Sequence, residues 1–347
     1  MAKMISTKHY IILFLVILIQ INVSAKNISE VQNSKINSAA VTSEYPHIEW
    51  VTTWPSPGKK QHSKQFKDNF NSILFGIKPP ALRNPVSVFA ENTDDFWILD
   101  QGNKTVFRVQ QEVGHIPQSI AKSEFDMSSL VGICSGPDKS LLFTDSHARK
   151  IYRLSPDRKK LDVLNKNLAL EQPTGIAYLS SKREIWVLET KGHRIAVLNE
   201  KGDVIRRIGK RGNGPVEFNY PTHIWIDSKG TIYISDTMNF RIQVLNSDGG
   251  VISVFGEAGD ASGYFASPKG VATDSFGNIY VVDALFHVVQ VFDIKGNLLY
   301  KFGNQGHGNG EFWIPTGIFI DSHDRIYVAD SYNSRVQVFQ LIYTNRK

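Results

Sequence analysis

The sequence predicts an all-β fold, a six-bladed β-propeller, from three observations. One apolar strand ending in an acid is written six times: FWILD to Asp100, LLFTD to Asp145, IWVLE to Glu189, IYISD to Asp236, IYVVD to Asp283 and IYVAD to Asp330, at intervals of 44 to 47 residues. Each copy sits between two other strands at fixed offsets: a preceding run such as PVSVFA from Pro85 or PTGIFI from Pro315, and a following one such as RIQVL or RVQVF that starts five residues past the acid. In most copies a fourth strand follows a glycine turn, as in DVIRRIG, GVISVFG and NLLYKFG. Four short strands cannot bury both faces of their own sheet, so six such units must stack face to face around an axis. The richness in Ile, Val, Tyr and Trp suits sheets covered on both sides.

Taken in order, residues 1–25 read as a secretory signal. Lys3 and Lys8 make a positive start, Ile11 to Ile19 is an apolar run too short for a comfortable span, and Val23-Ser24-Ala25 is a small-residue cleavage site. Residues 26–44, rich in Asn, Ser and Lys, read as a flexible lead. Within 45–78, HIEWVTTW (His47 to Trp54) is the expected closing strand, supplying the fourth strand that QLIYTNRK after Phe339 does not reach and so removing an open edge. Phe66, Phe70, Leu74 and Ile77 fall at helical spacing and predict a short amphipathic helix, with SILFG, Ser72 to Gly76, as a competing closure strand. The propeller then occupies 79–347.

Composition narrows the function classes. At 347 residues and 41% hydrophobic the chain can bury a large core. Cys134 is the sole cysteine, which excludes an intramolecular disulfide and a cysteine-built metal site. The formal charge of +6 drops to about +4 once Lys3 and Lys8 leave with the signal, too mild for a nucleic-acid footprint. Local basic clusters remain, above all Arg206, Arg207, Lys210 and Arg211, expected as a solvated face or a contact for an anionic surface.

The acid column brings partners with it: Asp236, Asn239 and Arg241 in one copy, Asp330, Asn333 and Arg335 in another. An Asp at a turn accepts backbone N–H bonds, Asn tolerates the left-handed conformation, and Arg can fork onto the carboxylate. These are expected folding roles, because a feature dispersed around six blades cannot be one active site. The unit GNGEFWIPTGIFIDSHDRIYVADSYNSRVQVF, Gly308 to Phe339, resembles the NHL-repeat family; the likeness is strong in the last three units, clear in the third and degenerate in the first two. That resemblance, with the signal and the HIEWVTTWP segment, implies an exported bacterial NHL propeller with a binding role for a protein, peptide or envelope component, in the periplasm or outside the cell. No nucleic acid is expected, and no transmembrane span after signal cleavage.

An enzymatic alternative follows from the same resemblance. Amidating lyases similar to NHL propellers bind zinc through histidines, one of them just after a proline at the start of an inner strand. The matching positions here are Val86, Val131, Thr174, Thr222, Lys269 and Thr316, none a histidine. No cofactor or catalytic residue is therefore expected, and zinc or calcium enters only with a lyase or lactonase-type hydrolase in the central channel. His223, one residue further on, stands where the other copies have Ser87, Gly132, Gly175, Gly270 and Gly317, a column expected to line the channel. It is a candidate for ligand contact, or a partner of a nearby carbonyl. His193 and His287, in turns after the second strand, are the other candidates for a loop-face surface.

Overall fold

The computed structural model describes residues 46–55, 81–92, 94–110, 118–119, 125 and 127–343. Six four-stranded antiparallel sheets are ordered along the chain, inner strand first. Blade 1 runs Pro85–Asn92, Asp95–Asp100, Thr105–Gln110 and Gln118–Ser119, and blade 2 runs Leu130–Ser135, Leu141–Asp145, Lys150–Leu154 and Leu161–Val163. Blade 3 runs Pro173–Leu179, Glu184–Glu189, Arg194–Leu198 and Val204–Ile208. Blade 4 consists of His223–Ile226, Ile232–Asp236, Arg241–Leu245 and Val251–Phe255; blade 5 of Pro268–Thr273, Ile279–Asp283, Val288–Phe292 and Leu298–Phe302. Blade 6 has Ile318–Ile320, Arg325–Asp330 and Arg335–Ile342, and takes its outer strand from His47–Trp54.

That outer strand closes the ring as the sequence predicts. His47 pairs with Ile342 and Trp54 with Val336, in antiparallel register with one irregularity between Trp50 and Thr52. Trp54 is buried with Phe96, Ile98 and Phe107 of blade 1 and with Tyr327 and Val336 of blade 6, so the closure is packed as well as hydrogen-bonded. The expected helix, with the competing SILFG strand, lies outside the described residues, as do the signal and the flexible lead.

The core lies between sheets. Blades 1 and 2 share Trp97, Leu99, Leu141 and Phe143; blades 3 and 4 share Trp186, Leu188, Ile232 and Ile234. Both faces of each middle strand are covered, which is why IYISD and IYVVD are buried at every position rather than alternating. The loops leading into blades 4, 5 and 6 are pinned by Phe218, Phe265 and Phe312, all fully buried. A Cβ on Gly209, Gly256 or Gly303 would meet those rings at 2.4 to 2.5 Å, and each glycine has φ near +90°, so these loop glycines serve packing.

Candidate functional site

The six inner strands surround a central channel with a cavity of about 190 Å³. Ser87, Gly132, Gly175, His223, Gly270 and Gly317 form one ring of its lining. Close approach explains the glycines: a Cβ on Gly317 would lie 2.5 Å from the Val86 carbonyl oxygen, and one on Gly132 2.6 Å from that of Thr174, each in the next blade. At the floor, Phe89 and Phe319 meet edge to face at 5.2 Å and Trp225 meets Phe319 at 5.4 Å. Between ring and floor the walls are aliphatic, with Ile133, Ile176, Ile224, Val271 and Ile318. Cys134 also lines this cavity, and burial pushes its thiol well above the usual range, so it stays protonated.

His223 breaks the small-residue ring. Its Nδ1 lies 2.9 Å from the Thr222 hydroxyl, which lies 2.7 Å from that of Thr237. Thr237 donates to the Pro268 carbonyl of blade 5, so Thr222 donates to Thr237 and accepts the N–H of Nδ1. That chain places the proton on Nδ1 and leaves the lone pair on Nε2. Burial, and secondarily the Lys269 ammonium, push the imidazole down to about 3.

Lys269 precedes the ring in blade 5, where blades 3, 4 and 6 carry Thr174, Thr222 and Thr316. Those threonines belong to hydroxyl clamps: Thr190 donates to Pro221, Thr237 to Pro268 and Ser331 to Pro85, each stitching a blade to the next. Blade 5 has Lys269 and Ala284 in the two clamp positions. The Lys269 ammonium is half-buried, makes none of the described ion pairs or side-chain hydrogen bonds, and is held below its ordinary pKa by burial, with Asp283 opposing.

The acid column is structural in every blade where it is described. Asp236 accepts from the Asn219 backbone N–H, Asn239 Nδ2 and Arg241 Nε at 2.6 to 2.8 Å. Arg241 then donates to the carbonyls of Asn213, Gly214 and Glu217, tying the turn to the loop that leads into the same blade. Asp330, Asn333 and Arg335 repeat this with Trp313, His307, Gly308 and Glu311. One expectation is corrected. The left-handed residue is not the asparagine but its successor, Phe240 (φ 54°) or Ser334 (φ 52°). The Asn amide is instead spent on the acid and on the carbonyl of Gly212 or Gly306.

His193 and His287 hold that same left-handed place, with φ of 52° and 58°. Each accepts a backbone N–H through Nδ1, from Tyr220 at 3.1 Å and from Ile314 at 3.0 Å, bracing the loop of the next blade. The basic run of the sequence is divided by its strand. Arg206 forks onto Glu184 over the Trp186 ring, Arg207 reaches Glu189 on the opposite face, and Lys210 pairs with Glu217. Lys210 and Arg211 are exposed. Burial raises the Glu189 carboxyl, but Arg194 and Arg207 outweigh it and hold the group below its usual range.

Two features were missed by the sequence reading. Lys269 figured only as a place without histidine, although it is the one charge in its column. The second is the tip of the turn after the acid: Met238, Leu285 and Tyr332 are 51%, 60% and 67% exposed in blades 4, 5 and 6, where blades 1 to 3 have Gly102, His147 and Lys191. These tips share a face with the loops leading into the blades, since Met238 N–H donates to Asn219 O and Tyr332 N–H to Trp313 O. Among the described residues, no three His, Cys, Asp or Glu side chains converge as a metal site would need, and no helix is long and apolar enough to cross a membrane.

A family model described as a 6-bladed beta-propeller matches residues 163–252 and 269–345. No curated protein matches the chain. Among solved structures, a catalytically inactive virginiamycin B lyase from Staphylococcus aureus with quinupristin is similar at 16% identity and a TM-score of 0.55, covering 75% of this chain and 95% of that one. An auxiliary nutrient binding protein from Bacteroides ovatus is similar at 14% identity and a TM-score of 0.59, covering 75% and 70%. A Bacteroides thetaiotaomicron protein of unknown function is similar at 14% identity and a TM-score of 0.60, covering 76% and 71%. At these identities the likeness is one of fold.

Proposed function

We propose that this chain is an exported, non-catalytic propeller of NHL type that binds a protein, peptide or envelope component on the face carrying the turns after the acids. The observation that carries the reading is the crescent of Met238, Leu285 and Tyr332. Three large apolar tips on consecutive blades are each more than half exposed, apolar surface of the kind that a binding partner covers. The repeat itself does not require them, because Gly102, His147 and Lys191 serve the same turn. Export rests on the signal-like first 25 residues, and a likeness in fold to a Bacteroides nutrient binding protein is consistent with it.

Panning a displayed random-peptide library on the full chain tests this. Selected peptides should weaken about tenfold or more against the M238S/L285S/Y332S variant, the scale of losing anchor contacts. They should bind unchanged to I205S/I252S, which alters the 53% and 52% exposed outer-strand residues Ile205 and Ile252. Equal loss in both variants, or no binders at all, would overturn the proposed face.

A further inference from the structure

The face that carries the apolar crescent is furnished differently over blades 2 and 3. There the same two kinds of segment, the turns after the acids and the loops leading into the blades, flank a cleft of about 510 Å³. Ser146, His147 and Arg149 of blade 2 line it, with Glu171, Gln172 and Lys191 of blade 3. The loop that enters blade 3, 164–172, is shorter than its counterparts 209–220, 256–267 and 303–314, and it has Leu170 where they have Phe218, Phe265 and Phe312. A shorter loop on a smaller anchor leaves room beside the turn.

Two distances hold the basic residues together. Arg149 Nε donates to the Leu170 carbonyl at 2.6 Å, and the Lys191 N–H donates to the carbonyl of the next residue, Glu171, at 3.3 Å. Both are thus fastened to adjoining peptide units of one loop. Glu171, the carboxylate of this lining, is taken by Arg194 at 2.9 Å. Arg194 and Arg207 also share Glu189, so two arginines balance two glutamates and nothing in that network offsets the cleft. Among the described residues, Arg149 Nη1 and Nη2, the Lys191 ammonium and the His147 imidazole make no hydrogen bond or ion pair.

The fold does not call for these charges. Arg149 holds the left-handed place, φ 60°, where His193 and His287 brace the loop of the next blade through one nitrogen and Ser334 does so through its hydroxyl, on the Arg83 carbonyl. Arg149 meets that need with Nε alone, and its charge and two further nitrogens are left over. Lys191 stands where blades 4 to 6 carry the apolar tips Met238, Leu285 and Tyr332.

We infer that the cleft between blades 2 and 3 binds an acidic segment of the partner, a run of Asp or Glu side chains, while the partner's apolar part covers the crescent. This deepens the binding reading above and rests on it. A guanidinium anchored through Nε offers its other two nitrogens as a fork for one carboxylate. The Lys191 ammonium takes a second, and His147 and Gln172 add further hydrogen-bonding groups. The cleft is larger than one carboxylate needs, and it lies among the turns and loops that also present the crescent, which favours a segment of chain over a free ion.

Calorimetric titration of the full chain with capped hexaglutamate, capped hexaglutamine and inorganic phosphate tests the inference. Hexaglutamate should bind about tenfold or more tighter than hexaglutamine, the scale of two exposed ion pairs, and should weaken severalfold between about 20 mM and about 150 mM salt. R149S and K191M install the residues that the same turn carries as Ser334 and Met238, so R149S/K191M should fold normally and lose the preference for hexaglutamate. K191M alone, which breaks no described side-chain contact, should lose part of it. K295S/K301S removes the same charge from the exposed outer hairpin of blade 5 and should keep the preference. Equal binding of the two peptides, no binding of hexaglutamate, full binding to R149S/K191M, an equal loss in K295S/K301S, or phosphate binding tighter than hexaglutamate would overturn the inference. In those cases library peptides that still depend on Met238, Leu285 and Tyr332 would leave the proposed binding face standing.

Discussion

Blades 5 and 6 fold the same four strands around differently furnished turns. In blade 6, Asp330 gathers the Trp313 N–H, Asn333, Arg335 and Gln337, and Arg335 goes on to three loop carbonyls. In blade 5, Asp283 accepts only backbone N–H groups, from Ala266, Ser267, Leu285 and Phe286, because Phe286 and Val288 stand in the other two places. Strand register is nevertheless the same: Asp283 pairs with Val288 as Asp330 pairs with Arg335. The blade therefore requires an acceptor at the turn. The amide and the arginine add a clamp to the neighbouring loop, and where they are missing the side chains are free for other work.

The largest test of that comparison is the acid itself. Asp330→Ala should cost about 3–5 kcal/mol, since it leaves Arg335 without its buried partner. Asp283→Ala should cost less, because it orphans backbone donors and no hydrogen-bonded cation, taking only a coulombic counter-charge from Lys269. Arg335→Val, which makes blade 6 resemble blade 5, should cost only about 1–2 kcal/mol. Urea denaturation of the three variants ranks them, and equal costs for the two acids would break the comparison.

Next in size is the ring that both blades share. Gly317→Ala places a Cβ 2.5 Å from the Val86 carbonyl at the seam where blade 6 meets blade 1, and should cost about 1–3 kcal/mol. The same denaturation curves measure it. An unchanged midpoint would show that the seam can widen freely, and the glycine column would lose its packing rationale.

The smallest effect sharpens the difference at the channel. The folded state holds His223 near 3, below the unfolded value near 6.5, so the unfolded chain binds more protons between them. Its contribution is intact above pH about 6.5 and stability is lost as pH falls towards 3, by up to ~tenfold in the folding equilibrium per unit. His193, depressed by burial and then by Arg211, adds in the same direction. H223G should flatten the pH dependence of the denaturation midpoint over about pH 4.5 to 6.5 relative to the parent chain. An identical slope would mean that His223 titrates freely in the folded protein.

Much of the architecture was legible because it is periodic. Six acid-terminated strands and a short last unit specify six blades and a borrowed strand, and HIEWVTTW has the β-branched and aromatic character to be that strand. The turn was legible in its roles but not in its conformation: φ at Phe240 and Ser334 is set by the reversal of the chain, not by the residue most tolerant of it. The basic run was read along the sequence, yet a strand sends alternate side chains to opposite faces, so Arg206 and Arg207 meet different carboxylates.

By itself the sequence determined the repeat, the number of blades and the column of buried acids, because local hydrophobic patterning and hydrogen-bonding demand are written within each unit. Only the tertiary structure decided the site. His223 and Lys269 are 46 positions apart, and no local pattern couples them. The inner strands that carry them lie side by side because six sheets close around one axis, at a channel whose ring is glycine in four blades, serine in blade 1 and histidine in blade 4.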